Sequence, residues 1–184
     1  MNTESISEQM RQQHFHHHKI LQSILLFVLM IVHTGCSVYS FTGASIPAGA
    51  KSVSIKYFPN NAMLVEPTLS IAFTSALRDK FTSQTNLNMI DNNGDLAFEG
   101  EIIDFKTTPV AIQSDQTAAL NRITITINVR FFNKIDPTKE FENKFTQYLD
   151  YPSDQDFNAV KGTLIPGVVE MLVEDIFNKA VVNW

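Results

Sequence analysis

The side chains that carry most enzyme chemistry are unevenly spread along this 184-residue chain. All five histidines, His14, His16, His17, His18 and His33, precede the single cysteine, Cys36. No histidine follows it, so the rest of the chain has no Cys–His pair, no Ser-His-Asp triad and no His/Cys zinc site. Neither G-x-x-x-x-G-K-[ST] nor G-x-G-x-x-G is present to cradle a phosphate. The carboxylate pairs Glu99/Glu101 and Asp154/Asp156 have the i, i+2 spacing that places both members on one face of a strand. A solvated charged face accounts for them better than acid–base work does. "DNNGD", residues 91–95, offers oxygen ligands for Ca²⁺ but lacks the twelve-residue loop and closing Glu of an EF-hand. It reads as a hairpin turn rich in residues that tolerate positive φ. The expectation is therefore no catalytic residue, no metal and no cofactor, in a protein that is not an enzyme. A net charge of −5 also argues against a nucleic-acid partner.

Cys36 has a different chemistry available. Arg11 and Lys19, with four of the histidines, form a positive segment, and Ile20 to Val32 forms an apolar run. Thr34 and Gly35 then stand as a small pair directly before the thiol. That order is a signal peptide by length and flanks, and the run is too short for a transmembrane helix, which needs roughly 20 apolar residues. Met10 stands beside Met1 as a possible start. Small-Gly-Cys after an apolar run resembles the lipobox of bacterial lipoproteins, in which a diacylglycerol is joined to sulfur and the leader is cleaved before the cysteine. His33 departs from that box, where an aliphatic residue is usual. The competing reading is a structural cysteine behind an ordinary secretory signal. Residues 1–35 are thus expected to be a leader, 36–50 a lipidated tether, and 51–184 one folded domain.

The elements of that domain follow from periodicity. In "KSVSIKYF", Val53, Ile55 and Tyr57 alternate with Ser54 and Lys56 as in a half-buried strand. Pro67 suits a helix start, and Leu69, Phe73, Ala76, Leu77 and Phe81 recur at helical spacing. A short strand, "LNMI", and a longer one, "LAFEGEIIDFKTTPVAI", flank the "DNNGD" turn as an expected hairpin. The clearest strand is "NRITITINVRFFN", with Ile123, Ile125, Ile127, Val129 and Phe131 on one side. Thr124, Thr126, Asn128, Arg130 and Phe132 lie on the other. "FENKFTQYLDY" repeats the alternation with Phe141, Phe145 and Leu149 and forms a second hairpin. A last helix is expected to bury Val168, Val169, Leu172, Ile176 and Ala180, with Pro166 and Gly167 in its first turn. The preceding "YPSDQDFNAVKGT" reads as a loop or short helix. Two amphipathic helices on one apolar sheet face give an α+β two-layer sandwich. Its sheet is mixed, mostly antiparallel, with about four to five strands and a free polar face.

Several stretches, in this order, resemble the LptE family of lipopolysaccharide-assembly lipoproteins in its Bacteroidetes form. They are "GCSVYSFTGASIP", "VSIKYFPNNAMLVEPTLS", "LRDKFTSQTNL", "FEGEIIDFKTTPVAI", "TAALNRITITINVRF" and "VEDIFNKAVVNW". Ser37 departs from the glycine usual after the lipidated cysteine. The resemblance implies an outer-membrane lipoprotein on the periplasmic side, anchored by its N-terminal lipid. It would plug and help assemble an LptD-type β-barrel and help lipopolysaccharide reach the outer leaflet. On that basis Arg122, Arg130, Lys134 and Lys144 are expected to touch lipid phosphates or acidic lumen groups, with Phe132 at a partner interface. Cross-strand ion pairing, such as Arg130 with Glu142, is the competing reading of those charges. The alternative for the whole protein is a non-enzymatic periplasmic lipoprotein that binds a small ligand or glycan in a sheet-side cleft.

Overall fold

The computed structural model describes residues 46–110 and 119–181. Cys36, the leader, most of the tether and Trp184 lie outside that range. The chain runs through β1 (Ser52–Ile55), α1 (Leu69–Gln84), β2 (Asn88–Met89), β3 (Leu96–Val110), β4 (Leu120–Asn133), β5 (Phe141–Pro152) and α2 (Phe157–Val181). The five strands form one sheet in the order β2-β1-β3-β4-β5. β3, β4 and β5 are antiparallel neighbours, and β1 runs parallel to both β2 and β3. This is the expected α+β sandwich, two helices against a mixed sheet.

β4 organises it. Its β-branched alternation puts Ile123, Ile125, Ile127 and Val129 wholly inside, with Phe131 beside them. Each fully buried side chain of this size stabilises the fold by about 1.5–3 kcal/mol. The helices supply the opposing layer through Leu69, Phe73, Leu77 and Phe81 from α1, and Val168, Leu172 and Ile176 from α2. Strand register stacks rings across the sheet. Phe98 pairs with Phe131 and Phe131 with Phe141, their centroids 4.8 and 5.2 Å apart. Phe81 of α1 closes over Phe98 at 4.8 Å, tying helix to sheet. One bulge, between Ile102 and Asp104, shifts the parity of β3, so that Ile102 and Phe105 both face the core.

Three expectations fail, each for a tertiary reason. The "DNNGD" segment does not join a hairpin. β1 lies between β2 and β3, and residues 90–95 cross over it as a strap. The Gly94 N–H donates to the Ser54 hydroxyl at 3.1 Å, and the Asp95 carboxylate accepts from the Lys51 and Ser52 N–H groups at 2.8 and 3.0 Å. That strap is why Ser54, on the otherwise polar side, is buried. A carboxylate already accepting these bonds, and one from the Ser52 hydroxyl at 2.9 Å, is a structural pin.

β1 is also shorter than its alternation predicts. Tyr57 is exposed and Phe58 is fully buried, the reverse of the expected parity. Past Ile55 the chain leaves the regular ladder. Phe58 turns inward over Gly100 and meets Phe73 edge-on at 5.0 Å, its N–H donating to the Thr74 hydroxyl of α1.

The last helix starts ten residues before Gly167, at Phe157, so Pro166 is interior to it. Proline removes a helical hydrogen bond and crowds the carbonyl of Gly162, four residues back. Pro166 is solvent-exposed, so this disturbance falls on the water side. The early turns are held by other means. The Asp156 carboxylate caps the N–H of Asn158 at 2.8 Å, Phe157 packs near Phe105 and Tyr151, and Lys161 reaches Glu66 at 3.0 Å. Asp154/Asp156 is therefore a turn residue and a helix cap.

Candidate functional site

The face of β3, β4 and β5 turned away from the helices gathers most of the expected site residues. Register places Glu99 beside Arg130 and Arg130 beside Glu142; one row away, Glu101 faces Asn128, which faces Lys144. Thr126 and Thr146 share a hydroxyl hydrogen bond of 2.9 Å between them. Arg122 holds Asp150 with two bonds of 2.7 and 2.9 Å, and its guanidinium lies 3.7 Å from the Tyr148 ring centroid. Arg130 pairs with Glu99 at 3.1 Å, and Lys56 takes the other oxygen of that carboxylate at 2.7 Å. Glu142 accepts instead from the Asn128 side chain, at 2.8 Å. The competing reading of the charges thus names the right kind of contact and the wrong acid for Arg130.

Lys144 differs from the arginines. It is exposed and makes no hydrogen bond or ion pair with any described residue. Phe132 and Tyr148 stand partly exposed on the same face. Lys134 does not join it. Its ammonium donates to the Asn93 carbonyl at 2.7 Å, bracing the strap. Glu99 and Glu101 share the face as their spacing predicts, Glu99 in the ion pairs above and Glu101 accepting from the Asn61 side chain. Among the described residues no group of three metal-ligating side chains comes together. What the arrangement can do is present a broad surface of hydroxyls, amides and mutually paired charges, with one spare ammonium.

Hydrogen bonds hold three carboxyls below their ordinary range, two of them on this face. The Lys56 ammonium, then burial opposing it and Arg130 assisting, holds the Glu99 carboxyl below its ordinary range. Arg122 does the same for Asp150, and Lys161 with Thr68 for Glu66. A carboxylate more acidic folded than unfolded stabilises the fold above the ordinary carboxylate range and loses that contribution as pH falls through its folded value. Melting temperature is therefore expected to hold from neutral pH to about pH 5 and to drop below it. Thermal melts that stay level or rise between pH 5 and pH 3 would contradict these assignments.

Sequence reasoning missed one exposed element. Met63 is as exposed as a free side chain at 103%, and Leu64, Val65 and Ile71 are 52%, 61% and 62% exposed. The apolar triplet in "NAMLVEP" has neither helical nor strand periodicity to place it, and the triplet itself was the available signal. On the helical layer, small residues Ala72 and Ala76 with Pro166, Val169 and Val173 line a shallow groove of about 410 Å³. It lies away from the sheet side where the ligand-binding alternative expects a cleft.

The model of the family LptE, described as lipopolysaccharide-assembly, matches residues 50–180. That span covers both helices almost completely and all five strands. The chain belongs to the LptE family. No curated protein matches it. Solved structures similar to it include a minor lipoprotein of Acinetobacter baumannii, at 11% identity and a TM-score of 0.48, covering 71% of this chain and 91% of that one. Rare lipoprotein B of Shewanella oneidensis matches at 13% identity and a TM-score of 0.42, covering 70% and 90%. Lipoprotein B of Nitrosomonas europaea matches at 12% and 0.46, covering 78% and 88%. LptE membership makes this a lipoprotein of the cell envelope in lipopolysaccharide assembly, from a family that is non-enzymatic.

Proposed function

We propose that this LptE protein is an outer-membrane lipoprotein whose leader, residues 1–35, is removed and whose Cys36 carries the lipid. Residues 36–50 then tether the domain on the periplasmic side, and several acyl chains make that anchoring stable. The domain plugs an LptD-type β-barrel, helps it assemble, and assists lipopolysaccharide through it. The observation that carries the reading is the polar face of three long strands. It is broad, uncovered among the described residues, and chemically matched to a polar barrel lumen.

Lipopolysaccharide phosphates are met first by Lys144, whose donors are all unspent. Arg122 and Arg130 follow, since a guanidinium has five N–H groups and each carboxylate pair uses only some of them. Phe132 lies at the rim of that contact. Lys134 is left out because the strap holds it.

Purification from detergent-solubilised outer membranes tests the reading. The expected product is a stoichiometric complex with a large barrel, its small subunit beginning at an acylated Cys36 by mass spectrometry. A barrel-free monomer, or a polypeptide still carrying its leader, would end the proposal. Lys144→Ala is expected to weaken lipopolysaccharide binding about tenfold, the worth of one charge-assisted hydrogen bond near 1.4 kcal/mol. Undiminished binding by the Arg122→Ala/Arg130→Ala/Lys144→Ala variant would remove the phosphate contact.

A further inference from the structure

Residues 59–68 between β1 and α1 form an apolar finger on a rigid base. The base is fixed at both ends. The Asn61 N–H donates to the Ile102 carbonyl and the Ile102 N–H to the Pro59 carbonyl, each at 2.9 Å, so the first part of the loop rides on β3. The Asn60 side chain spans the loop, accepting from the Ala62 N–H at 3.1 Å and donating to the Glu66 carbonyl at 3.4 Å. Glu66 is buried and accepts from the Thr68 hydroxyl at 2.9 Å and Lys161 at 3.0 Å. Ala62 is buried too. Between these fixed points Met63, Leu64 and Val65 project outward, and Ile71 on the first turn of α1 is exposed as well. A solvated loop has no reason to hold three consecutive apolar side chains in water on so ordered a base.

We propose that this finger is a docking element that seats in an apolar, uncharged cleft of a protein partner, the barrel of the preceding section; it rests on that reading. Three observations choose such a partner over a lipid bilayer. The main-chain groups of Met63, Leu64 and Val65 have no hydrogen-bond partner among the described residues. In hydrocarbon those groups would stay unsatisfied, at a cost exceeding what three side chains return, whereas a protein cleft can supply acceptors and donors at its rim. The finger's own segment, residues 59–68, carries a single charged side chain, Glu66, and Lys161 pairs with it. A neutral cleft complements it, and a surface of lipid phosphates does not. Finally, Asn61 at the finger's base bonds Glu101 of the polar face, so finger and face form one continuous surface. The finger offers on the order of 400 Å² of apolar area, about half of one side of a standard-size interface, and the face can provide the remainder. Met63 suits the tip, since an unbranched thioether adapts to an irregular cleft.

A photocrosslinking residue placed in the full-length chain, at Leu64 or at Thr126, tests this in intact cells. An adduct between position 64 and an outer-membrane barrel is the expected result. An adduct at 126 without one at 64 overturns the finger and leaves the face reading standing. An adduct at 64 alone supports the finger and removes the face. Silence at both positions overturns both, and lipid-only adducts at 64 overturn the finger in favour of a membrane. In parallel, Met63→Ser/Leu64→Ser/Val65→Ser is expected to lower the co-isolated barrel at least fivefold with the melting temperature unchanged. Equal recovery would also overturn the finger.

Discussion

Gly100→Ala is expected to destabilise the domain by about 4 kcal/mol, with a melting temperature lower by about 10–15 °C. A Cβ at this position would sit 2.0 Å from the Asn128 carbonyl oxygen and 2.8 Å from the Phe58 ring. The first contact decides the size of the effect. A side chain can rotate away, but the Asn128 carbonyl belongs to the backbone of β4, fixed by neighbours Ile127 and Val129, both wholly buried. Relief requires opening the β3–β4 ladder or expelling Phe58, which forfeits its packing on Phe73. Overpacking elsewhere in cores costs roughly 1–3 kcal/mol where side chains can yield, and here backbone must yield. Gly162→Ala is the control, because a Cβ there meets nothing within 4 Å. Within α2 it should stabilise by about 0.5–1 kcal/mol. Urea unfolding of the two variants compares them directly. A Gly100→Ala midpoint within error of wild type would show that the strand pairing around Phe58 is wrong.

The second large effect is expected at the strap. Gly94→Ala puts a Cβ 2.5 Å from the Leu96 carbonyl, 2.6 Å from the Ser54 nitrogen and 2.8 Å from the Val53 carbonyl carbon. All three are main-chain atoms, so the strap must lift from β1. Lifting it breaks the buried bond from the Gly94 N–H to the Ser54 hydroxyl and drags Asp95 from the Lys51 and Ser52 N–H groups, which lie nearer the surface. A loss of about 3 kcal/mol or more follows. Because β1 and β2 depend on the strap while β4 and β5 do not, amide exchange should quicken first in residues 52–55 and 88–89. Uniform quickening across the sheet, or none, would refute the crossing topology, since a plain hairpin turn accommodates alanine without touching β1. Asn93 is the one non-glycine residue here with positive φ, at 60°. The turn chemistry legible in "DNNGD" is real, and it serves a crossing.

The polar face was legible for the same reason β4 was. Side chains alternate strictly along a strand, so Arg122, Thr124, Thr126, Asn128 and Arg130 had to share a side once Ile123 to Phe131 were buried. Lys144 joined them through the register of one hairpin. Ion-pair partners were less legible. Arg130 lies between Glu142 and Glu99 in the register, and only the presence of Lys56 beyond Glu99 makes that acid the centre of a three-charge cluster. Lys134 follows β4 in sequence but is spent on the strap, a contact 41 residues away. The apolar finger carries no periodicity, and its exposure depends on Asn60, Glu66 and Lys161 closing around its base.

By itself the sequence determined the two-layer architecture, the core face of each long element and the likeness to LptE, because these rest on periodicity and composition that are local to each segment. Tertiary structure alone decided that β1 inserts between β2 and β3, that Phe58 replaces Tyr57 in the core, and that α2 continues through Pro166. Each of those outcomes depends on what a distant segment places against the residue: the strap over Ser54, the missing side chain of Gly100, and Glu66 holding Lys161. Local propensity is worth tenths of a kcal/mol per residue, while a buried ring or a satisfied buried polar group is worth about 1–3 kcal/mol, so where the two conflicted the distant contact prevailed.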